Sequence, residues 1–372
     1  MYFKQILDER CGCASYVIAS RQTLEAVIVD PALTIEPYEE LLRERGFRLR
    51  YVIDTHVHAD HVSGARRFRD RLGAEVCLHE SAAVHYPFRP LKDGEELSLG
   101  QLRLRVVHTP GHRSELMSLL VINPPRSPEP SMVLTGDSLL VGDVGRPDFG
   151  GGDARAQQRS IARLLELPDW VAVFPGHFEG PCGKGMCGRP STTIGFERRF
   201  NPLAQLAPQE FVANLESGVP PRPLNMTAIE ATNRGAIDCP EAMLVSAPPV
   251  EAVGPEAVEA VGDAALLLDV RELGEYARAH IPGATNLPQA DLASRIAELP
   301  RNRRIIVVCQ SAQRSLRAAQ YLKQSGFPEV EYMKGGTVAW KQSGRPVIQG
   351  DGGHSTPIVE SVWAHAGSVS GR

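Results

Sequence analysis

Seven cysteines among 372 residues, an odd number, do not make a disulfide framework, and their presence fits a reducing compartment. Their closest spacings, Cys11-Gly12-Cys13 and Cys182 with Cys187, miss the separations of paired zinc ligands, and no histidine stands beside either pair. Cys13 therefore reads as core. Cys182 reads as a turn residue, with a part as an accessory thiol left open. Long apolar runs are missing too, which excludes a membrane span, and residues 1–10 are too charged for a secretory signal. The expected location is cytoplasmic. Neither sign of charge dominates: 40 Lys and Arg against 44 Asp and Glu give a net charge of −4, so nucleic acid and anionic membrane are not expected partners. No internal repeat is visible. At about 150 residues per domain the length allows two to three domains, and 42% hydrophobic with 23% charged residues is an ordinary globular composition.

What the chain does have is histidine at high local density. Asp54-Thr55-His56-Val57-His58-Ala59-Asp60-His61 places three imidazoles among carboxylates directly after an apolar strand-like run over 49–53. Imidazole and carboxylate are the natural donors for borderline cations, so the stretch reads as a metal site. Further donors follow, each after another strand-like run: His112 beyond 102–107, Asp137 beyond 132–134, and His177 beyond 171–174. Glycine-punctuated turns at strand ends bring such residues to one edge of a layered fold.

The order His56, His58, Asp60, His61, then His112, Asp137 and His177 resembles the metallo-β-lactamase superfamily. The resemblance covers roughly the first two-thirds of the chain and implies an α/β fold, a four-layer αββα sandwich with metal at one edge. The segments Ser138-Leu139-Leu140-Val141-Gly142-Asp143-Val144-Gly145-Arg146-Pro147-Asp148, Cys182-Gly183-Lys184-Gly185 and Ser191-Thr192-Thr193-Ile194-Gly195-Phe196-Glu197 look like the persulfide dioxygenase branch. That resemblance implies one Fe(II) per chain on His56, His112 and Asp137. His58, Asp60, His61 and His177 then stand behind the ligands, or hold a second metal. Arg146 and Cys182 become candidates for substrate binding. Three protein ligands leave open positions on an octahedral ion for sulfur and dioxygen side by side. The alternative is a glyoxalase II-like thioester hydrolase holding two zinc ions on the same seven residues and using bound hydroxide.

A second signature lies downstream. Ala264-Ala265-Leu266-Leu267-Leu268-Asp269-Val270-Arg271-Glu272, His280-Ile281-Pro282-Gly283-Ala284 and a β-branched strand over 305–308 lead to Cys309, and Met333-Lys334-Gly335-Gly336-Thr337 and Trp340 follow. A cysteine between a strand and a helix, here expected over 315–325, meets converging N–H groups and the positive helix end, which favour thiolate and can cradle an anion. These motifs resemble the rhodanese (sulfurtransferase) domain, a doubly wound parallel sheet. The six-residue loop Cys309, Gln310, Ser311, Ala312, Gln313 and Arg314 is one shorter than in related phosphatases, which favours sulfur transfer. Cys309 and Arg314 are the catalytic candidates there, and the four residues between them the sulfur-binding loop. Ala312 departs from the glycine common in that family.

The expected organisation is a metallo-β-lactamase-fold domain over 1–236, with a helical tail over 196–218 and a Pro- and Asn-bearing strap over 219–236. A linker over 237–251, a rhodanese domain over 252–349 and a mobile tail over 350–372 follow, and the Pro-rich 123–131 reads as a surface loop. The resemblance implies a bifunctional sulfur-metabolism enzyme. It would oxidise a low-molecular-weight, glutathione-type thiol persulfide with O₂ to sulfite and thiol, and move sulfane sulfur between thiosulfate, thiol and persulfide. The sequence leaves the carrier thiol, the direction of transfer and homo-oligomerisation open.

Overall fold

The computed structural model describes residues 1–8, 11–180, 182–217, 226–238, 249–289 and 291–350. Most of the expected linker, the first half of the strap and nearly all of the expected tail lie outside the described residues. The chain divides into two compact units, Met1–Cys239 and Pro240–Arg372.

The first unit begins with β1 (Tyr2–Asp8), β2 (Cys13–Ala19), β3 (Glu25–Val29), β4 (Arg48–Ile53), β5 (Glu75–His79) and β6 (Arg89–Leu91), which form one six-stranded sheet in chain order. Next come β7 (Glu96–Leu99), β8 (Leu102–His108), β9 (Met117–Ile122), β10 (Pro130–Gly136), the short pair β11 (Leu139–Leu140) and β12 (Asp143–Val144), then β13 (Ala172–Pro175) and β14 (Thr192–Thr193). The second sheet runs β14-β13-β10-β9-β8-β7. Strand β2 explains the layering, because all seven of its residues are buried and successive side chains point to opposite faces. Tyr16 and Ile18 pack with Val27, Ile53, Met117, Leu119 and Leu134 between the sheets. Val17 and Ala19 join Ile28, Val52 and Val76 under α1 (Glu36–Arg45) and α2 (Ala65–Leu72), through Tyr38, Leu42 and Phe68. Beyond the second sheet, Val133, Val171 and Val173 pack against α3 (Ala154–Leu165), α4 (Ile194–Phe200) and α5 (Pro208–Glu216) through Ile161, Leu164, Ile194, Phe211 and Leu215. Helix, sheet, sheet, helix is thus the layer order. The strap contributes α6 (Met226–Asn233).

The second unit holds β15 (Glu251–Val253), β16 (Ala265–Asp269), β17 (Thr285–Asn286), β18 (Arg304–Val308) and β19 (Val330–Met333) in the order β15-β19-β18-β16-β17. Every pairing is parallel. Buried runs such as Ile305–Val308 in β18 are what a parallel sheet covered on both faces requires. The helix Gln313–Gln324 starts two residues earlier than the sequence pattern predicts, since the turn after Cys309 is tight enough to feed straight into it.

Candidate metal centre and sulfur-transfer loop

Strand β4 ends at Ile53, and the turn that follows is fastened before any metal is considered. Asp30, at the end of β3, accepts the Thr55 N–H at 2.7 Å and the Thr55 hydroxyl at 2.9 Å. Its backbone is left-handed, with φ of 49°, a strain that the paired carboxylate offsets. Since the Thr55 hydroxyl proton is directed at Asp30, its oxygen accepts from His56 Nδ1 at 3.1 Å. That fixes the His56 tautomer and leaves the Nε2 lone pair facing inward. His112 is set the same way, its Nδ1 donating to the Arg146 carbonyl at 2.8 Å, while its backbone N–H donates to Gln157 Oε1 at 2.8 Å. Asp137 follows β10 through Gly136, whose φ of 50° and close approach to Thr55 Oγ1, 2.6 Å from a would-be Cβ, admit no side chain.

His56, His112 and Asp137 present one donor atom each within 4.8 Å of one another. Asp137 Oδ2 lies 3.9 Å from His56 Nε2 and 3.5 Å from His112 Nε2. A metal bonded at about 2.1 Å to each of two donors separates them by about 3 to 3.5 Å, so the cluster is the size of a cation site. His56 Nε2 and Asp137 Oδ2 are buried with no hydrogen-bond partner among the described residues. Orphaned lone pairs of this kind are costly unless something binds them, and their chemistry fits a metal ion. Protonation agrees. Burial, opposed by Asp137 and aided by Arg113, pushes His112 down to about 4, and burial with neighbouring His58 holds His56 well below its ordinary value. Both rings are therefore neutral at physiological pH, the form in which imidazole can bind a cation.

Of the other four residues of the motif, Asp60, His61 and His177 are joined by hydrogen bonds and reach the first three through Asp137, and His58 stands apart. His177 Nδ1 donates to Asp137 Oδ1 at 2.7 Å and its Nε2 to Asp60 Oδ2 at 2.9 Å. Burial disfavours charge on this ring, yet Asp137 and the groups around it outweigh burial, and the His177 pKa rises well above the ordinary value. His61 Nδ1 donates to Asp60 Oδ2 at 3.1 Å, and its pKa is raised to about 9 because Asp60 outweighs burial. His58 turns away to Asp30 Oδ1, 3.1 Å from its Nε2.

The Arg146 guanidinium forks onto Asp148, with Nε at 2.6 Å and Nη2 at 2.8 Å, and lies 4.9 Å over the Phe149 ring. Phe149 in turn meets the His112 ring edge-on at 5.0 Å. Cys182 is buried, its Sγ 3.8 Å from His177 Nε2, and its carbonyl accepts the Arg146 N–H at 3.0 Å. Cys13 is buried as expected, but beside polar partners: its Sγ lies 3.2 Å from Asp60 Oδ2 and 3.3 Å from His177 Nε2. The cause is topological. Cys13 opens β2, which passes β13 at the site's edge, and nothing in a Cys-Gly-Cys triplet announces that crossing.

Sequence reasoning also missed Asp30, Thr55, Gln157 and Asn233. Asn233, the last residue of α6, donates from Nδ2 to the His58 carbonyl at 2.9 Å and the His61 carbonyl at 2.8 Å, and accepts from the Ser63 N–H at 2.9 Å. Two residues of α6 thereby hold the centre, because Glu230 also pairs with the buried Arg113. The asparagine in the strap was the available signal.

In the second unit Cys309 is buried at the end of β18, its Sγ donating to Ser315 Oγ at 3.4 Å. The loop is pinned from the next turn, where Thr337 N–H donates to the Cys309 carbonyl at 2.8 Å and Val338 N–H to the Gln310 carbonyl at 3.2 Å. Ser311 is exposed on the loop, and the Gln313 side chain lies outside the described residues. Ala312 has φ of 85°, the left-handed region where glycine is the unstrained residue. Arg314 grips Glu275 with two contacts of 2.7 Å, so its charge is committed to the loop's frame.

Residues 8–177 match the metallo-beta-lactamase superfamily and residues 255–343 the rhodanese-like domain. The mitochondrial persulfide dioxygenase ETHE1 of Homo sapiens is 30% identical over 243 residues, 64% of this chain and 90% of that protein. The crystal structure of ETHE1 from Myxococcus xanthus is 33% identical, with a TM-score of 0.57 over 63% of this chain and 99% of that one. A metallo-beta-lactamase structure from Staphylococcus aureus, 26% identical, covers 90% of this chain and 99% of its own at a TM-score of 0.63. No helix among the described residues is long and apolar enough to cross a membrane. With a fold, a donor set and homologues that agree, the chain belongs to the metallo-β-lactamase superfamily, joining a homologue of the persulfide dioxygenases to a C-terminal rhodanese-like domain.

Proposed function

We propose that the protein is a bifunctional sulfur-metabolism enzyme: an Fe(II)-dependent persulfide dioxygenase fused to a thiosulfate sulfurtransferase. The first unit would convert R-S-SH, O₂ and water into R-SH and sulfurous acid, which ionises to sulfite. His56, His112 and Asp137 would hold the metal. Fe(II), when bound, supplies the redox chemistry that makes dioxygen reactive toward sulfur, which zinc lacks. Around it the chain's own groups do the positioning. Thr55 and the Arg146 carbonyl fix the two rings, and His177 holds Asp137 Oδ1 so that Oδ2 faces inward. Phe149 closes the His112 side with an apolar ring. Arg146 braces that loop through Asp148.

In the second unit Cys309 thiolate would attack the outer sulfur of thiosulfate. A new S–S bond forms at Cys309, and the bond to sulfite breaks with the electron pair leaving on sulfite. A glutathione-type thiolate then takes the sulfane sulfur, regenerating Cys309 and releasing the persulfide that the first unit consumes. One chain carrying both sites raises the local concentration of that shared intermediate.

The observation that carries the one-iron reading is the division of donors. His56 Nε2 and Asp137 Oδ2 are unpartnered among the described residues, whereas Asp60 Oδ2 already accepts from both His61 and His177, which leaves only Asp60 Oδ1 buried and unpartnered in that trio. The test is metal analysis of anaerobically purified full-length protein, with oxygen uptake and sulfite release on glutathione persulfide. One iron per chain and sulfite matched to oxygen are expected. Two zinc ions, no oxygen uptake and anaerobic cleavage of S-lactoylglutathione would instead make it a dizinc thioester hydrolase.

A further inference from the structure

We propose that Cys11 and Cys13 form a dithiol site, distinct from Cys309 and needing no metal, that takes the outer sulfur of a low-molecular-weight persulfide and closes to a disulfide with release of sulfide. It rests on the function proposed above for its substrate class alone.

Cys11-Gly12-Cys13 ends the turn that carries β1 into β2, where Asp8 pairs with Cys13. The Cys11 and Gly12 N–H groups both donate to the Asp8 carbonyl, at 3.3 and 2.8 Å. Two residues of chain span at most about 7 Å, which is the limit that a disulfide can bridge. Gly12, left-handed with φ of 72°, rules out that full extension, so the two cysteines stand within bridging range. No other residue fits there, since a Cβ would sit 2.3 Å from the Glu179 carbonyl oxygen. The thiols are already neighbours: hydrogen bonding from Cys13 holds Cys11 down at about 7 against burial, which favours its nucleophilic form.

The backbone gives the two thiols different parts. Cys13 is clamped, facing His177 across an antiparallel bridge flanked by Ala14 N–H to the Gly176 carbonyl at 2.7 Å and Phe178 N–H to the Gly12 carbonyl at 2.9 Å. It is also buried. Cys11 is half-buried, its Sγ 3.7 Å from the Asp8 carbonyl, and of the two it is the one a solute reaches. Cys11 is therefore the attacking thiol and Cys13 the resolving one.

The Cys11 thiolate attacks the outer sulfur of R-S-SH. An S–S bond forms at Cys11, and the bond to the carrier breaks with its electron pair leaving on R-S⁻. Cys13 then attacks the Cys11 sulfur and gives its proton to the departing sulfur, which leaves as hydrogen sulfide as the Cys11–Cys13 bond forms. The pair loses two electrons and the sulfane sulfur gains them, so the persulfide is the only oxidant required. Two equivalents of low-molecular-weight thiol reduce the disulfide and reset the site. A persulfide suits a half-buried thiol because it leaves a single sulfur atom there, whereas a mixed disulfide would have to seat the whole carrier. Asp8 and Asp60 both act on Cys11 through their charge, and the same charge disfavours the thiosulfate dianion.

The experiment gives glutathione persulfide to full-length Cys309→Ser protein, reduced and kept without oxygen, so that neither transfer at Cys309 nor persulfide oxidation contributes. Sulfide release and peptide mapping without reductant are read. About one sulfide per chain is expected, with the peptide holding Cys11 and Cys13 lighter by two hydrogens and closed to alkylation. Adding Cys13→Ser should stop the reaction at a Cys11 persulfide, heavier by one sulfur, with no sulfide released, and thiosulfate in place of persulfide should leave both thiols free. Sulfide release undiminished by Cys11→Ser, both thiols still open to alkylation after persulfide, or a disulfide from either to a different cysteine overturns the proposal. The mapping with Cys11 and Cys13 intact decides the matter alone if Cys13→Ser does not fold. Absence of oxygen uptake by wild-type protein would defeat the dioxygenase reading and leave each of these outcomes unchanged.

Discussion

Asn233→Ala is the sharpest test of how the metal loop is held. The side chain makes three hydrogen bonds, two to the carbonyls of His58 and His61 and one from the Ser63 N–H, and the residue is 7% exposed. Each such bond is worth about 0.5–1.5 kcal/mol net, and removing one side strands a buried partner. Three together come to about 2–4 kcal/mol, part of which water entering the vacated space recovers, so about 2–3 kcal/mol is expected. For a unit the size of Met1–Cys239 that lowers the transition by about 5–10 °C. The three-residue centre should feel it as well, because His58 and His61 share their turn with His56. Displaced outer groups typically cost about ten- to a hundredfold in metal affinity. Calorimetry of metal-free protein and equilibrium iron binding read the two effects. Arg234→Ala is the control, since the neighbouring Arg234 side chain donates to the Ala83 carbonyl, outside the metal loop. If Asn233→Ala binds iron like wild type, or Arg234→Ala weakens binding as much, the strap does not position the loop.

Cys309→Ser should abolish sulfur transfer from thiosulfate while leaving sulfite production from supplied persulfide near its normal rate; oxygen uptake driven by thiosulfate plus thiol alone would refute the coupling. Ala312→Gly should stabilise the second unit by about 0.5–1 kcal/mol, the relief of a left-handed alanine less glycine's added chain entropy, and a lower unfolding transition would contradict it. Metal-free protein should lose stability as pH rises from 6.5 to about 9, because His61, raised in the fold, stabilises fully below 6.5 and stops doing so as it deprotonates. His56 and His112 are shifted downward and act only below that window, whereas His177 is raised as well and adds to the same loss, so His61→Gln should reduce the slope in thermal scans without abolishing it. Arg146→Lys should slow persulfide oxidation, since a lysine cannot fork onto Asp148 while keeping the loop that holds His112; unchanged kcat and KM would leave Arg146 without that role.

The motifs made the layered fold legible through the family resemblances they carry, and histidine density and strand-end placement, which are local properties of the chain, pointed to the residues that the structure gathers at one edge. What stayed hidden depends on long-range pairing. Asp30 lies 25 residues from Thr55 and Asn233 lies 170 from Ser63, and no periodicity links either pair. Cys13 looked apolar for the same reason: its environment is written by β2 crossing the end of β13, not by its neighbours in sequence. Ala312 is the opposite case. Its departure from glycine was visible at once, and the left-handed backbone gives the physical meaning of that departure. Arg314 was legible as a loop arginine, but its engagement with Glu275 spans 39 positions and had no local sign.

Both units place their chemistry by one device, with an informative exception. His56 follows β4, which pairs in parallel with β3 and β5; Asp137 and His177 follow β10 and β13, parallel to each other; Cys309 follows β18, parallel to β16 and β19. Parallel strands end together, so the turns beyond them gather side chains from distant sequence at one edge. His112 follows β8, whose partners β7 and β9 are antiparallel. No shared strand end brings it in, and the chain uses side chains and loop closure instead. Thr109 N–H bonds to the Leu116 carbonyl at 2.9 Å, Met117 N–H to the Thr55 carbonyl at 3.0 Å, and Gln157 of α3 accepts the His112 N–H. Gln157 also donates to the Ser138 carbonyl at 2.8 Å, one residue past Asp137. A single buried amide therefore ties the antiparallel ligand to the parallel one, and the loop carrying His112 is the part of the centre whose geometry rests on side chains rather than on the sheet.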